Sequence, residues 1–248
     1  MNKIKILAGI CSILFFHINF GLCDINYDAG KNIIYVFGYS QEKPCTTKDI
    51  WEMSKSNNWG VVDYDSEKDT YYVKASIVIG KNDGSKSYFK IGSKEKPRET
   101  IIIKGNLTVE SAKILGWRKY EGGNWLEIGE EYDSSIKPVI KFDCSKKGEY
   151  GLTIGEGSHF SSYNALISSL INDKGYYAFW VGTGENARII GNTISGFTSL
   201  YSFGTGYCSN VIIKGNIFEN MDRGLVNGEQ YIEDCIFRNM DVAVFDGG

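Results

Sequence analysis

The chain has 248 residues and a formal net charge of −3, and 42% of its residues are hydrophobic. This apolar content supplies a folded core and excludes a disordered chain, and the length fits one elongated domain with a small cap. Because a mildly acidic chain has no general attraction for nucleic acid, nucleic-acid binding is not predicted.

The first 23 residues have the order of a secretory signal peptide. Lys3 and Lys5 precede an apolar stretch from Ile6 to Phe16, and small residues follow before Cys23. We therefore predict a signal peptide over residues 1–23, a mature chain that starts near Asp24, and a secreted or cell-surface protein without a later transmembrane segment. An uncleaved anchor is the alternative. The residues before Cys23 match a lipoprotein signal poorly, so a lipid anchor is not favoured.

Residues 24–100 differ in character from the rest and predict a small N-terminal α/β cap. Thr46 followed by Asp49 matches a capping box and predicts a short helix. Alternating apolar residues predict three strands, at Thr70 to Val73, Ala75 to Ile79 and Tyr88 to Ile91. The sequence Asn82-Asp83-Gly84 predicts a hairpin-type turn. A cap is expected because an open solenoid end exposes apolar core and unpaired backbone.

Repetition is the main feature of residues 101–248. The pentapeptide Ile-Ile-Lys-Gly-Asn occurs at residues 102–106 and 212–216, and looser copies begin at Ile189 and Ile232. Short β-branched runs that end in Gly or Asn are typical of stacked solenoid coils, since these residues tolerate the backbone of a tight corner. We predict an all-β parallel β-helix over residues 101–248 that continues beyond Gly248. One inward ladder is predicted from the residues Ile171, Ile194, Phe218 and Phe237.

Charges fix the register of the last two predicted coils. Alignment of Asn216 with Cys235 places Lys214 beside Glu233 and Glu219 beside Arg238, two favourable pairs between strands about 4.8 Å apart. Asn192 aligns with Asn216 one coil earlier, and Ser169 aligns with Asn192 before that.

The same register places Asp222 over Asp241, a like-charge pair. Such a pair costs stability unless a cation, Arg223 or protonation relieves it. Calcium is the extracellular cation that carboxylate and corner-carbonyl oxygens bind, so Asp222 and Asp241 are the predicted metal ligands. The alternative is a solvated pair whose side chains diverge.

Three runs, Pro138 to Asp143, Gly151 to Ile154 and Asn210 to Leu225, resemble the pectate-lyase-like right-handed parallel β-helix superfamily. The resemblance covers roughly residues 101–248 and implies a right-handed solenoid. That superfamily includes polysaccharide lyases, hydrolases, epimerases and surface proteins. The hydrolase elements Asn-Thr-Asp, Asp-Asp and Gly-His-Gly and the epimerase element Asp-Pro-His-Asp do not occur in this sequence. Some lyases combine calcium carboxylates with a Lys or Arg base, which makes Lys214, Asp222 and Arg223 the nearest catalytic candidates. Their alternative role is a solvated face.

The aromatic residues and the cysteines each have two possible roles. Exposed rings would stack on sugar faces, whereas buried rings would only build ladders; the rings concerned are Trp117, Trp125, Tyr176, Tyr177, Trp180 and Tyr201. Four cysteines remain after the predicted leader, and they permit disulfides with three connectivities or serve as small buried hydrophobes; they are Cys45, Cys144, Cys208 and Cys235.

These observations predict a secreted or cell-surface β-helix repeat protein with a structural, adhesive or glycan-binding role. Its partner would be a polysaccharide or cell-wall glycan. The alternative is a calcium-dependent polysaccharide lyase of the pectate-lyase-like type. We expect the 248-residue chain to lack polysaccharide-cleaving activity, since an acid pair and a usable His are missing from its motifs. We also expect self-association at the C-terminal end, near Val244 and Phe245.

Overall fold

The computed structural model describes residues 23–38, 40–116, 119–143, 151–172, 177–182, 187–199, 201–206, 211–224 and 230–243. The predicted signal peptide up to residue 22 lies outside these residues, as do Val244 and Phe245, Trp117, Tyr176, Cys144 and Cys208. The described part is mostly β, with one helix, α1 (Thr47–Ser56). No helix in these ranges is long and apolar enough to cross a membrane.

The strands are short and are separated by corners. The first half contains β1 (Asp24–Asp28), β2 (Ile33–Phe37), β3 (Cys45–Thr46), β4 (Val62–Asp65), β5 (Thr70–Val73), β6 (Ser76–Ile79), β7 (Tyr88–Ile91), β8 (Thr100–Ile103), β9 (Leu107–Val109), β10 (Lys113–Gly116), β11 (Lys119–Glu121) and β12 (Trp125–Ile128). The second half contains β13 (Val139–Phe142), β14 (Leu152–Ile154), β15 (His159–Tyr163), β16 (Leu166–Asn172), β17 (Tyr177–Val181), β18 (Ala187–Ile190), β19 (Thr193–Thr198), β20 (Tyr201–Thr205), β21 (Val211–Lys214), β22 (Ile217–Arg223), β23 (Gln230–Glu233) and β24 (Ile236–Val242).

Three long sheets collect these strands in a repeating order. The first sheet runs β1-β2-β6-β9-β14-β17-β20, the second runs β3-β7-β12-β15-β18-β21-β23, and the third runs β4-β5-β8-β13-β16-β19-β22-β24. From β7 to β22 the chain passes from the second sheet to the third and then to the first, and repeats this path. Each coil therefore stacks on the previous coil, which gives an all-β, solenoid-like fold. β10 and β11 form a separate antiparallel hairpin at one corner.

The parallel sheets begin earlier than residue 101, where the sequence placed their start. β2 already pairs in parallel with β6, β3 with β7, and β5 with β8. Only β1 with β2 and β4 with β5 are antiparallel among the described pairs of the three sheets. The boundary at Ile101 was therefore too late. The predicted hairpin at Asn82 to Gly84 is also wrong, because β6 and β7 belong to different sheets.

Inward side chains of the third sheet build a continuous ladder. Consecutive parallel partners in it are Tyr71, Ile101, Ile140, Ile167, Ile194, Phe218 and Phe237. All but Phe237 are buried, and each step removes apolar surface from water at about 25 cal/mol per Å². The predicted stacking of Ile194, Phe218 and Phe237 is thus confirmed.

The predicted place of Ile171 in that ladder is wrong. Ile167 pairs with Ile194, and Ile171 pairs with Phe197 after a register shift that follows Ser168. Ala165, not Ser169, corresponds to Asn192, because the next residues, Leu166 and Thr193, pair directly. The backbone N–H of Ala165 also donates to Asn192 Oδ1 at 2.9 Å. The cause is the length of this coil, since Ile167 and Ile194 are 27 positions apart, whereas Ile194 and Phe218 are 24 apart and Phe218 and Phe237 are 19 apart. A bulge beyond Ser168 adds one residue to β16 only after that point, opposite Gly196 with its left-handed φ of 73°.

The N-terminal region contains the predicted capping box. The backbone N–H of Asp49 donates to Thr46 Oγ1 at 3.4 Å, and the backbone N–H of Thr46 donates to the Asp49 carboxylate at 2.7 Å. The resulting helix α1 contacts β3 and β4, the first strands of the second and third sheets. Ile50 from this helix is fully buried in the core.

A disulfide joins Cys23 to Cys45. The sequence had assigned Cys23 to the leader, so this bond was not among its three connectivities. Leader cleavage after Cys23 would remove one half of the bond, whereas cleavage before Cys23 keeps it. Cys235 is a free thiol that lies half-buried against the core.

Candidate functional site: a groove on the second sheet

The charge pairs that set the predicted register are present. Lys214 Nζ lies 2.8 Å from Glu233 Oε2, and Arg238 Nε donates to Glu219 Oε2 at 2.6 Å. The strand pairing places the same residues side by side. Glu233 raises the pKa of Lys214 through their hydrogen bond and its charge. A lysine held in this way is charged and occupied, which is unfavourable for a catalytic base.

The other two catalytic candidates, Asp222 and Arg223, lie elsewhere on the same coil. Asp222 and Arg223 lie at the end of β22, whereas Lys214 lies just before the start of this strand at Ile217. Asp222 is five positions beyond Ile217, and each position of a strand advances the chain by about 3.3 Å. The structure therefore does not bring Lys214 together with Asp222. Arg223 lies over the Tyr201 ring, 5.7 Å from its centroid.

The like-charge pair is also present. Asp222 lies beside Asp241, since Met221 pairs with Met240 and Arg223 with Val242. Although Asp222 is exposed, desolvation of its carboxyl and then the charge of Asp241 raise its pKa, and Arg223 opposes them. In the described ranges, no three His, Cys, Asp or Glu side chains gather into a metal site.

An aromatic column lies on the outer face of the second sheet. Tyr88, Trp125 and His159 begin the adjacent strands β7, β12 and β15 and pair directly across them. The ring centroids of Tyr88 and Trp125 are 5.9 Å apart, and those of Trp125 and His159 are 4.3 Å apart. All three side chains are partly exposed, whereas the next residue of each strand, such as Phe89, points into the core. The alternation of a β-strand therefore turns one ring per coil outward.

A polar row runs beside the aromatic column, two residues further along each strand. It consists of Thr46, Lys90, Glu127, Ser161 and Arg188, which are paired in this order across five strands. The ammonium of Lys90 lies 2.8 Å from Glu127 and 3.2 Å from Glu130. This row supplies donors and acceptors next to the ring faces.

Two long corners wall this strip into a groove. Residues 92–99 and 129–138 connect the second sheet to the third, whereas residues 164–165, 191–192 and 215–216 make the same connection with two residues each. The long corners contribute Ser93, Glu95 and Glu130 to a pocket of about 580 Å³. A neighbouring pocket of about 340 Å³ shares Gln41, Trp125 and Glu127 with the first. The groove thus follows the coils that have long corners.

Charge pairs order the polar side of the groove. Burial alone would lower the pKa of Lys90, but hydrogen bonds and charges from Glu127 and Glu130 outweigh it and raise the pKa. Arg188 binds Glu131 at 2.8 Å, and the Tyr163 hydroxyl lies 3.5 Å from the same carboxylate. Burial, with a smaller contribution from Glu131, raises the pKa of Tyr163, which keeps its hydroxyl protonated as a donor.

Trp125 was a candidate from the sequence, but the groove around it was not predicted. The sequence does contain a pattern that marks the groove. Three strands each begin with a ring, then a buried residue, then a polar residue: Tyr88-Phe-Lys, Trp125-Leu-Glu and His159-Phe-Ser. Because the corners between these strands are long and unequal, the three tripeptides do not recur at a fixed interval in the sequence. Among the other singled-out rings, Tyr201 contacts Arg223 and lies on the first sheet.

Comparison of this chain with protein-family models, with curated proteins and with solved structures gives no match. The groove geometry and the coil architecture therefore carry the functional argument.

Proposed function

We propose that this chain is a secreted or cell-surface, right-handed parallel β-helix that binds a glycan in the groove of its second sheet, with α1 covering its N-terminal end. The observation that carries the proposal is the Tyr88, Trp125 and His159 column beside a row of hydrogen-bonding side chains. Sugar rings present apolar C–H faces and a rim of hydroxyls. The aromatic ring faces of the groove can stack on the C–H faces, and the neighbouring charged and hydroxyl side chains can hydrogen-bond to the sugar hydroxyls.

Export is supported by the disulfide. The bond between Cys23 and Cys45 is of the kind that persists in oxidising compartments and is rare in the cytosol. It also engages the thiol that a lipid anchor on Cys23 would need. An exported β-solenoid with a polar groove is suited to a polysaccharide partner outside the cell.

A lyase is the weaker proposal, for a geometric reason. Lys214 is ion-paired with Glu233, and the carboxylates of Asp222 and Asp241 belong to another sheet. A base and a metal site that do not face one cavity cannot act on one sugar unit. We therefore favour binding without cleavage.

The test is retention on a panel of immobilised polysaccharides, combined with titration calorimetry on soluble oligosaccharides. Trp125→Ala should lower the affinity by about fivefold to 150-fold, since stacking and burial of a ring contribute about 1 to 3 kcal/mol. Tyr72→Ala is the matched control, because Tyr72 is a partly exposed ring on the third sheet, away from the groove. Equal binding by both variants, or no binding by the wild type, would overturn the proposal.

A further inference from the structure

We infer that the groove selects a glycan without acidic groups and repels polyuronates. This inference rests on the proposed function and names its ligand class. It depends on the charges around the groove.

The lining of the groove carries an excess of negative charge. The two adjoining pockets contain five carboxylates, those of Glu42, Glu95, Glu127, Glu130 and Glu131. They contain three fixed cations, those of Lys90, Lys94 and Arg188. The carboxylates thus exceed the fixed cations by two in a concave space, where walls of low dielectric strengthen the field.

Two of the three cations are already committed to protein carboxylates. Lys90 bridges Glu127 and Glu130, and Arg188 binds Glu131. The partial burial of Lys90, with its side chain 23% exposed, makes replacement of these partners costly. Lys94 is followed directly by Glu95. A uronate carboxylate entering the groove would therefore find two of the three cations already paired and would face the excess negative charge of the lining.

Uncharged hydroxyls fit the same surface. Carboxylate oxygens of Glu127 and Glu131 accept hydrogen bonds, and the Ser161 and Tyr163 hydroxyls both donate and accept. The strip crosses five strands from β3 to β18, which spans roughly 19 Å at 4.8 Å per strand. This length suits an oligosaccharide that lies along the solenoid axis.

The experiment compares neutral polysaccharides with acidic counterparts on the same full chain. Galactan with polygalacturonate, and hydroxyethylcellulose with carboxymethylcellulose, serve as probes by affinity electrophoresis at low and high salt. At low salt the wild type should bind a neutral member at least about tenfold more tightly than its acidic counterpart. Salt at 1 M should reduce that ratio because it screens repulsion within a few ångströms.

A charge variant supplies the second measurement. Glu130→Gln with Glu131→Gln removes two negative charges and releases Arg188, so binding of the acidic member should rise roughly tenfold. Glu52→Gln with Asp63→Asn is the matched control, since it makes the same change in net charge at exposed sites outside the groove. That control should leave the ratio unchanged.

The outcomes separate the two proposals. Tight binding of the polyuronates by the wild type, or an equal effect of the control variant, overturns the charge selection and leaves glycan binding intact. No binding to any member of either pair, as well as to the wider panel, overturns both proposals.

Discussion

The side-chain oxygen of Asn216 accepts two hydrogen bonds from Asn192 on the preceding coil, from its backbone N–H at 2.9 Å and from its Nδ2 at 3.0 Å. Asn192 in turn accepts from the backbone N–H of Ala165 and from Ser162 Oγ. Both asparagines are buried. The next coil has Cys235 at this position, which ends the amide ladder. Corner backbone that would otherwise lack partners is thereby satisfied inside the core.

We expect Asn216→Ala to lower the free energy of unfolding by about 2 to 3 kcal/mol, because it leaves buried groups of Asn192 and the Ile189 carbonyl without their partner. Urea denaturation measures the loss. Asn26→Ala, which removes an exposed asparagine, should cost less than about 0.5 kcal/mol. Equal costs would show that the ladder does not stabilise the fold.

Reversing one charge of the Glu219 and Arg238 pair should destabilise the last described coils, and reversing both should restore them. Glu219→Lys and Arg238→Glu should each cost about 0.5 kcal/mol, since this pair is partly exposed. The double variant should recover most of the loss in a double-mutant cycle. Strict additivity of the two losses would contradict the register.

We expect the exported chain to retain Cys23 and to carry it in a disulfide with Cys45. Non-reducing peptide mapping by mass spectrometry should recover both cysteines in one cross-linked fragment. Cys23→Ser should lower the unfolding free energy by about 3 kcal/mol, because the bond closes a segment with a separation of 22 residues. A reductant should destabilise the wild type but not this variant. An exported chain that begins at Asp24 would refute the bond.

Asp222→Asn should stabilise the protein at pH 7 by a few tenths of a kcal/mol to about 1 kcal/mol. Because the folded state raises the pKa of Asp222, folding is favoured when its carboxyl is protonated, and this advantage is lost as the pH rises through the folded pKa. The gain should therefore disappear below the ordinary value of 3.8. Denaturation at several pH values measures it. In the Asp222→Asn background, Asp241→Asn should add little, and a full second gain would show that the two carboxylates do not interact.

Local patterns in the sequence predicted strands and caps well, since those depend on neighbouring residues. The alternation in Thr70 to Val73 and Tyr88 to Ile91 matches β5 and β7, and the Thr46 box begins α1. The register of the last coils followed from complementary charges and identical side chains. It failed one coil earlier, because the coil from Ile167 to Ile194 is 27 positions long, longer than the two that follow, and no compositional feature marks the added length.

The site was harder to predict than the fold. Its residues come from strands and corners separated by intervals of unequal length, so no fixed motif spacing connects Tyr88, Trp125 and His159. The like-charge pair of Asp222 and Asp241 was found because it lies in two coils of equal spacing. The separation of this pair from Lys214 was not predicted, because it depends on the direction of each strand and on the sheet to which the strand belongs.

The residues that stabilise the stack of coils differ from the corner residues that line the groove. Apart from buried positions such as Glu99 and Ile136, residues 92–99 and 129–138 lie outside the core, and each coil depends mainly on the coil above and below it. Because closing a flexible loop of twice the length costs only about 0.6 kcal/mol, these segments can gain or lose residues with little effect on the stack. Ligand preference can therefore diverge rapidly in such a chain while the amide and isoleucine columns remain the same.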